Sequence, residues 1–191
     1  MQHLRRAAVS GFNGLLAKQK KFVVPTRVSL SFFSDDISVI HDGVPVADID
    51  ALDIEAYRPH GDTALLDGIG SMIELVAERV DLKPYPSRVL IAILTDGLEN
   101  SSVRFSKKEI FKLISFRRLV CNWQFVFMGA KGSQTIQSGL SLGIQRSNIV
   151  EFGTSPEGIQ SLMSTLSGAL KAYQLGNRNF ALLLKDAEGV S

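Results

Sequence analysis

The segment Val89-Leu-Ile-Ala-Ile-Leu94 is an unbroken apolar run that stops at Thr95-Asp96-Gly97. A short apolar run closed by a tight polar turn reads as a strand buried on both faces, and such a strand requires helices on both sides of its sheet. In open parallel sheets ligands gather outside the carboxyl ends of the strands, which places Asp96 where binding or chemistry is normally found.

The rest of the chain supplies elements for such a sheet. Leu4, Ala8, Gly11 and Leu15 recur at helical spacing, so Gln2 to about Lys20 reads as an amphipathic helix weakened by Gly11 and Gly14. Arg27 to Phe33 alternates as a strand, and Asp42-Gly43 between Ile37–His41 and Val44–Val46 predicts a two-residue hairpin with Pro45 on an edge strand. Leu66, Ile69, Ile73, Val76 and Val80 mark a long helix with Asp62 or Thr63 as its N-cap, stopped by Pro84 and Pro86. Then come the Val89 strand, a helix from about Lys107 to Leu119, a strand at Trp123–Met128, a short helix near Thr135–Leu142, a strand at Asn148–Phe152 and a closing helix begun by Ser155-Pro156. Phe180-Ala-Leu-Leu-Leu184 lies in a tail of short or frayed structure. Alternating strands and helices argue a doubly wound, mostly parallel α/β sheet with one edge hairpin, in a single domain over residues 1–176.

Composition narrows the function classes. With 191 residues and 45% hydrophobic content, one core can be buried, and a net charge of +2 does not call for a nucleic-acid partner. Charge is uneven, however: no acid precedes Asp35, and nine carboxylates fall between Asp35 and Asp67. One cysteine, Cys121, excludes an intramolecular disulfide framework and fits a reducing compartment. With no apolar run of membrane-spanning length and no signal-peptide core, the expectation is a cytoplasmic protein that binds neither membrane nor nucleic acid.

Thr63, at the start of one helix, and Asp96, at the end of the buried strand, both fall on the carboxyl edge of the sheet. A hydroxyl and a strand-end carboxylate suit a hard cation such as Mg²⁺; equally, Thr63 can cap a helix and Asp96 make a turn. Cys121 has no histidine near it in sequence and reads as structural. Trp123, Phe125 and Phe127 alternate as core residues do, and Gly68-Ile-Gly70 lies inside a helix, so it is not a dinucleotide fingerprint.

His60-Gly-Asp-Thr-Ala-Leu-Leu-Asp-Gly-Ile-Gly70, Ile93-Leu-Thr-Asp-Gly-Leu-Glu-Asn100 and Phe125-Val-Phe-Met-Gly-Ala130, in that order, resemble a bacterial von Willebrand factor type A domain, and Ser29–Asp36 resembles the family's second strand. The resemblance covers nearly the whole chain. It implies a Rossmann-like sheet with helices on both faces and a metal-ion-dependent adhesion site, in which Mg²⁺ lies between three loops and a carboxylate of a protein partner completes its coordination. Thr63 matches the second-loop threonine and Asp96 the third-loop aspartate; His60, Asp62, Glu99 and Asn100 would form the partner-binding rim. One departure is large. The family opens with a buried strand ending in Asp-x-Ser-x-Ser, and nothing before Gln2 supplies it, so Thr63 and Asp96 should hold Mg²⁺ weakly or not at all. Five or six buried apolar residues at ~1.5–3 kcal/mol each amount to roughly 10 kcal/mol, a sum comparable with the net stability of a domain. Three explanations present themselves: a truncated start, which is favoured, direct pairing of Val28–Phe33 with Val89–Leu94, or a strand from another chain. The expected function is a non-catalytic protein-binding module; the alternative is a divalent-metal-dependent hydrolase or nucleotide-binding domain using Asp96.

Overall fold

The computed structural model describes residues 2–83, 87–132 and 134–176. The helix stop at Pro84 and Pro86 and the apolar tail at 180–184 lie outside the described residues. In chain order the elements are α1 (Arg5–Gln19), β1 (Arg27–Phe33), β2 (Ile37–Pro45), α2 (Leu65–Val80), β3 (Leu90–Thr95), α3 (Lys107–Leu119), β4 (Gln124–Ala130), α4 (Thr135–Ser141), β5 (Ile149–Phe152) and α5 (Pro156–Gln174). By their contacts the residues fall into two compact units: one holds residues up to 27, 44–59 and those from 152 on, the other 28–43 and 60–151.

In the first unit α1 packs along α5. Gly11 is what lets them approach, since a Cβ there would lie 2.7 Å from Met163 Cγ. Asn13 clamps the 44–59 segment, donating to Leu52 O at 3.0 Å and accepting from Leu52 N–H at 2.7 Å. Proline in the first turn and Ser155 Oγ accepting from Gly158 N–H at 3.2 Å start α5 where the sequence placed it.

The second unit is built around β3 and β4, which run parallel with Leu90 opposite Gln124 and Thr95 opposite Gly129. Its core gathers Leu66, Ile69 and Ile73 of α2, Ile91 and Ile93 of β3, Ile110 and Ile114 of α3, and Phe125 and Phe127 of β4. Trp123, just ahead of β4, is buried with the Arg117 guanidinium 4.8 Å from its ring centroid, and Phe125 and Phe127 are buried too, so these aromatics are core. The mid-helix glycines of α2 serve packing: Gly68 faces the Phe33 ring and Gly70 the Phe105 ring.

The architecture is mixed α/β, with a three-stranded parallel sheet in the order β3-β4-β5 and a separate two-stranded antiparallel hairpin of β1 and β2. Three local expectations are corrected. The hairpin turns at Ser34–Asp36, where Ser34 N–H donates to Asp36 O at 3.0 Å, and β2 runs straight through Asp42-Gly43. Gly43 takes φ +59° inside that strand because the Arg79 guanidinium, paired with Asp42, occupies the space of a side chain. The N-cap of α2 is Ala64, and the capping oxygens come instead from the loop after β3. Finally, β3 is not buried on both faces. Ile91, Ile93 and Thr95 are buried, whereas Ala92 is exposed and Leu90 and Leu94 are half-buried. On the side away from β4 this strand has no partner among the described residues.

Candidate functional site

Three loops of the second unit meet at the first turn of α2: the hairpin turn Ser34–Asp36, the segment 60–64, and the long loop 96–106. Backbone conformation brings the first two together. Gly61 adopts φ +65°, and a Cβ there would overlap the Asp35 carboxylate, whose Oδ1 accepts from Asp62 N–H at 2.6 Å. Ala64 N–H donates to Ser34 O at 2.9 Å. His60 Nδ1 stands 3.9 Å from Asp35 Oδ2, with both side chains well exposed.

The loop after β3 is tied down by carboxylates and an amide. Asn100 pairs with Thr63 along the backbone, Asn100 N–H donating to Thr63 O at 3.2 Å, and its side chain accepts from Thr63 N–H at 2.7 Å while donating to Asp62 Oδ1 at 3.1 Å. Glu99 Oε2 accepts from Leu66 N–H at 2.9 Å and from Ser102 Oγ at 2.7 Å, and its Oε1 accepts from the N–H groups of Ser101 and Ser102 at 3.0 and 2.7 Å. A carboxylate at the first turn of a helix satisfies an orphan donor and complements the helix dipole, which is why Ala64 needs no side-chain oxygen of its own.

Asp67 completes the clamp from the helix side. It is buried, and its two oxygens accept from the N–H groups of Val103, Arg104 and Phe105 at 2.8–3.1 Å. Burial works to raise this carboxyl, but the Val103, Phe105 and Arg104 N–H donors and the nearby Arg104 charge outweigh it and hold the group below its ordinary value of 3.8. The role of Asp67 is to fold the 103–105 segment over α2.

Thr63 and the turn after Asp96 are brought together by this scaffold. A Cβ on Gly97 would stand 2.9 Å from Thr63 Oγ1, so the hydroxyl lies over the turn, and Thr95 Oγ1 braces that turn from below by accepting from Gly97 N–H at 3.2 Å. Both Thr63 and Asp96 are half-buried. Asp62, His60 and Asn100 are exposed around them, while Glu99 is half-buried and has both oxygens engaged inside the loop. Asp35, Ser102 and the clamping carboxylate of Asp67 are the members sequence reasoning missed. The acidic doublet Asp35-Asp36 between two apolar stretches was the visible signal for the first of them.

One hydroxyl and one carboxylate do not fill the oxygen shell of Mg²⁺ from protein. Among the described residues, no group of three or more His, Cys, Asp or Glu is arranged to hold a metal ion. In the first unit, a separate open cleft of about 610 Å³ is lined by His3, Arg6, Ser10 and Gln160 together with Arg5, whose guanidinium is spent on Glu55 and on the carbonyls of Ile54 and Tyr57.

No helix among the described residues is long and apolar enough to cross a membrane. No protein-family model matches the chain, and no curated protein does. Among solved structures, the chain is similar to proximal thread matrix protein 1 from the mussel byssus, with a TM-score of 0.61 at 12% sequence identity over 88% of this chain and 42% of that one. The chain spans less than half of that protein's length, and the likeness is one of fold.

Proposed function

We propose that this chain is a non-catalytic, protein-binding domain of the von Willebrand factor A type, with a doubly wound Rossmann-like organisation, that meets its partner at the loops around Thr63 and Asp96. The observation that carries this reading is the convergence of Thr63 on the Asp96-Gly97 turn, held in place by Asn100, Glu99 and Asp67, at the carboxyl end of β3. A hydroxyl and a carboxylate backed by so many backbone hydrogen bonds form a rigid rim, which suits recognition better than turnover. His60, Asp62 and Asn100 are the side chains exposed to a partner, and Glu99 acts from behind by shaping the loop. The partner contributes an acidic residue. Mg²⁺ would supply the bridging charge between that acid and the rim, and this chain's two ligands bind it weakly.

Calorimetric titration of Mg²⁺ and Mn²⁺ tests the reading. The chain alone is expected to show weak binding or none, and the same chain with an apolar strand ending in Asp-x-Ser-x-Ser fused ahead of Met1 is expected to bind, with binding lost on Thr63→Ala or Asp96→Ala. Tight binding by the unfused chain, or binding by the fused chain that survives both substitutions, would refute this reading.

A further inference from the structure

One end of the first unit carries an apolar tip among lysines. There α1 and α5 run side by side in the same direction, since Gly11 lies against Met163 and, further along both helices, Gln174 Nε2 donates to Gln19 Oε1 at 2.8 Å. The same Nε2 donates to Thr26 Oγ1 at 2.9 Å, so Gln174 fastens both ends of the loop 20–25 to the last turn of α5. Lys171 Nζ, 5.5 Å from the centroid of the Phe22 ring, holds the near side of that loop. Val23-Val24 projects beyond these ties.

Val23 is 98% exposed, and Leu175, the residue after Gln174, is 72% exposed. A single exposed aliphatic side chain is ordinary on a protein surface. Here Val23, Val24 and Leu175 share one end of the helix pair with the exposed side chains of Lys20, Lys21 and Lys171. Lysines at the carboxyl ends of two helices offset the helix dipoles, which accounts for the charges and leaves the valines without a role. The tip is also far from carboxylates along the chain and in the fold. No acid precedes Asp35, Glu157 opens α5 at its other end, and Asp48 and Asp50 lie on the segment that leaves Thr26 at Val46 and runs back along α1 to Asn13.

We propose that this tip is a peripheral docking site for an anionic membrane surface, with Val23 and Val24 entering the acyl boundary and the three lysines lying at the level of the headgroups. Charge complementarity selects the sign of the surface, and the valines select lipid. Long lysine stems reach acidic headgroups while the neighbouring aliphatic side chains sink, an arrangement that a bilayer interface accommodates. A nucleic acid would use the lysines alone, because valine offers a base neither a ring to stack on nor a hydrogen bond. An anchor of this kind needs neither a spanning run nor a signal-peptide core, the two features whose absence set the expectation of no membrane contact. It is independent of the rim at Thr63 and Asp96.

Cosedimentation of the full chain with sucrose-loaded vesicles tests the site. Vesicles of phosphatidylcholine with about 30% phosphatidylserine are expected to bind about tenfold or more better than phosphatidylcholine alone, and the difference should shrink as salt is raised. Lys20→Glu with Lys21→Glu should lower binding to the anionic vesicles by about tenfold or more, and Val23→Ser with Val24→Ser should lower it by a similar factor. All four side chains are exposed, so the thermal midpoint of each double variant should match the parent. Lys112→Glu on α3, a charge reversal in the other unit, should leave binding intact. Absent binding, equal binding to neutral vesicles, or equal loss with Lys112→Glu would overturn the proposal. So would binding that survives the valine substitutions, or a preference for poly-glutamate or single-stranded DNA over the anionic vesicles, because the lysines would then be serving a soluble polyanion.

Discussion

Single side chains decide whether the long loop after β3 has a shape. Asp67 is the clearest case, because a buried carboxylate that accepts three backbone N–H groups leaves all three unmet when it is altered. Asp67→Asn keeps the size, yet turns an N–H group toward N–H donors. It is expected to lower unfolding free energy at neutral pH by about 2–3 kcal/mol, measured by urea denaturation. The pH dependence has a defined sign. Since the folded-state pKa lies below the ordinary 3.8, the carboxylate's contribution is complete above that value and is lost as pH falls through the depressed folded value. The gap between the parent and Asp67→Asn should therefore close in the acid range below 3.8; a gap that stays constant there would mean that ionisation of Asp67 is not what stabilises the loop. At this scale the sequence was half legible. An aspartate one turn into a helix signals a dipole interaction, and nothing in its neighbours shows that a segment 36 residues later in the chain will fold back to meet it.

Elements divide into those specified locally and those that needed a neighbour. α3 begins and ends where its pattern placed it, and Ser106 with Glu109 forms a reciprocal capping box that is entirely local. Ser155 and Pro156 start α5 in the same local way, but the start also relies on Gly158. A Cβ at that position would lie 2.1 Å from Gly153 O, a backbone atom that cannot swing aside. Gly158→Ala, despite its better helix propensity, is expected to cost about 1–3 kcal/mol by forcing the 153–155 turn outward, read as a lower thermal midpoint with an otherwise native spectrum. An unchanged or raised midpoint would show that the turn yields freely. The hairpin shows the opposite dependence. Asp42-Gly43 carries the strongest short-range turn signal in the chain, and it was overruled because Arg79, far along the sequence on α2, fills the space over Gly43 and pairs with Asp42. The chain reverses instead at Ser34–Asp36, a turn closed by its own hydrogen bond, and at Asp42 the strand continues beside Arg79.

Across the whole molecule, order should follow the distribution of burial within each unit. In the second unit β4 lies between two hydrogen-bonded neighbours and is almost wholly buried, whereas β3 has a strand partner on one side alone among the described residues. Native-state hydrogen exchange is expected to rank the amides of 125–129 as the slowest, with every second amide of β3 exchanging markedly faster because it points away from β4. Uniform protection across β3 would mean that its outer edge is covered in solution. Periodicity by itself determined the succession of strands and helices, the amphipathic faces of α2 and α5, and the core role of Trp123, Phe125 and Phe127, since each of these depends on residues a few positions apart. Tertiary structure alone decided that β1 and β3 fall in different sheets, that α2 is capped by Glu99 and Ser102 from the loop after β3, and that Thr63 comes to rest over Gly97. The reason is physical: hydrogen-bond donors at a helix end and free edges of a strand are satisfied by whichever groups the fold brings within about 3 Å, and proximity of that kind is not written in the spacing of residues along the chain.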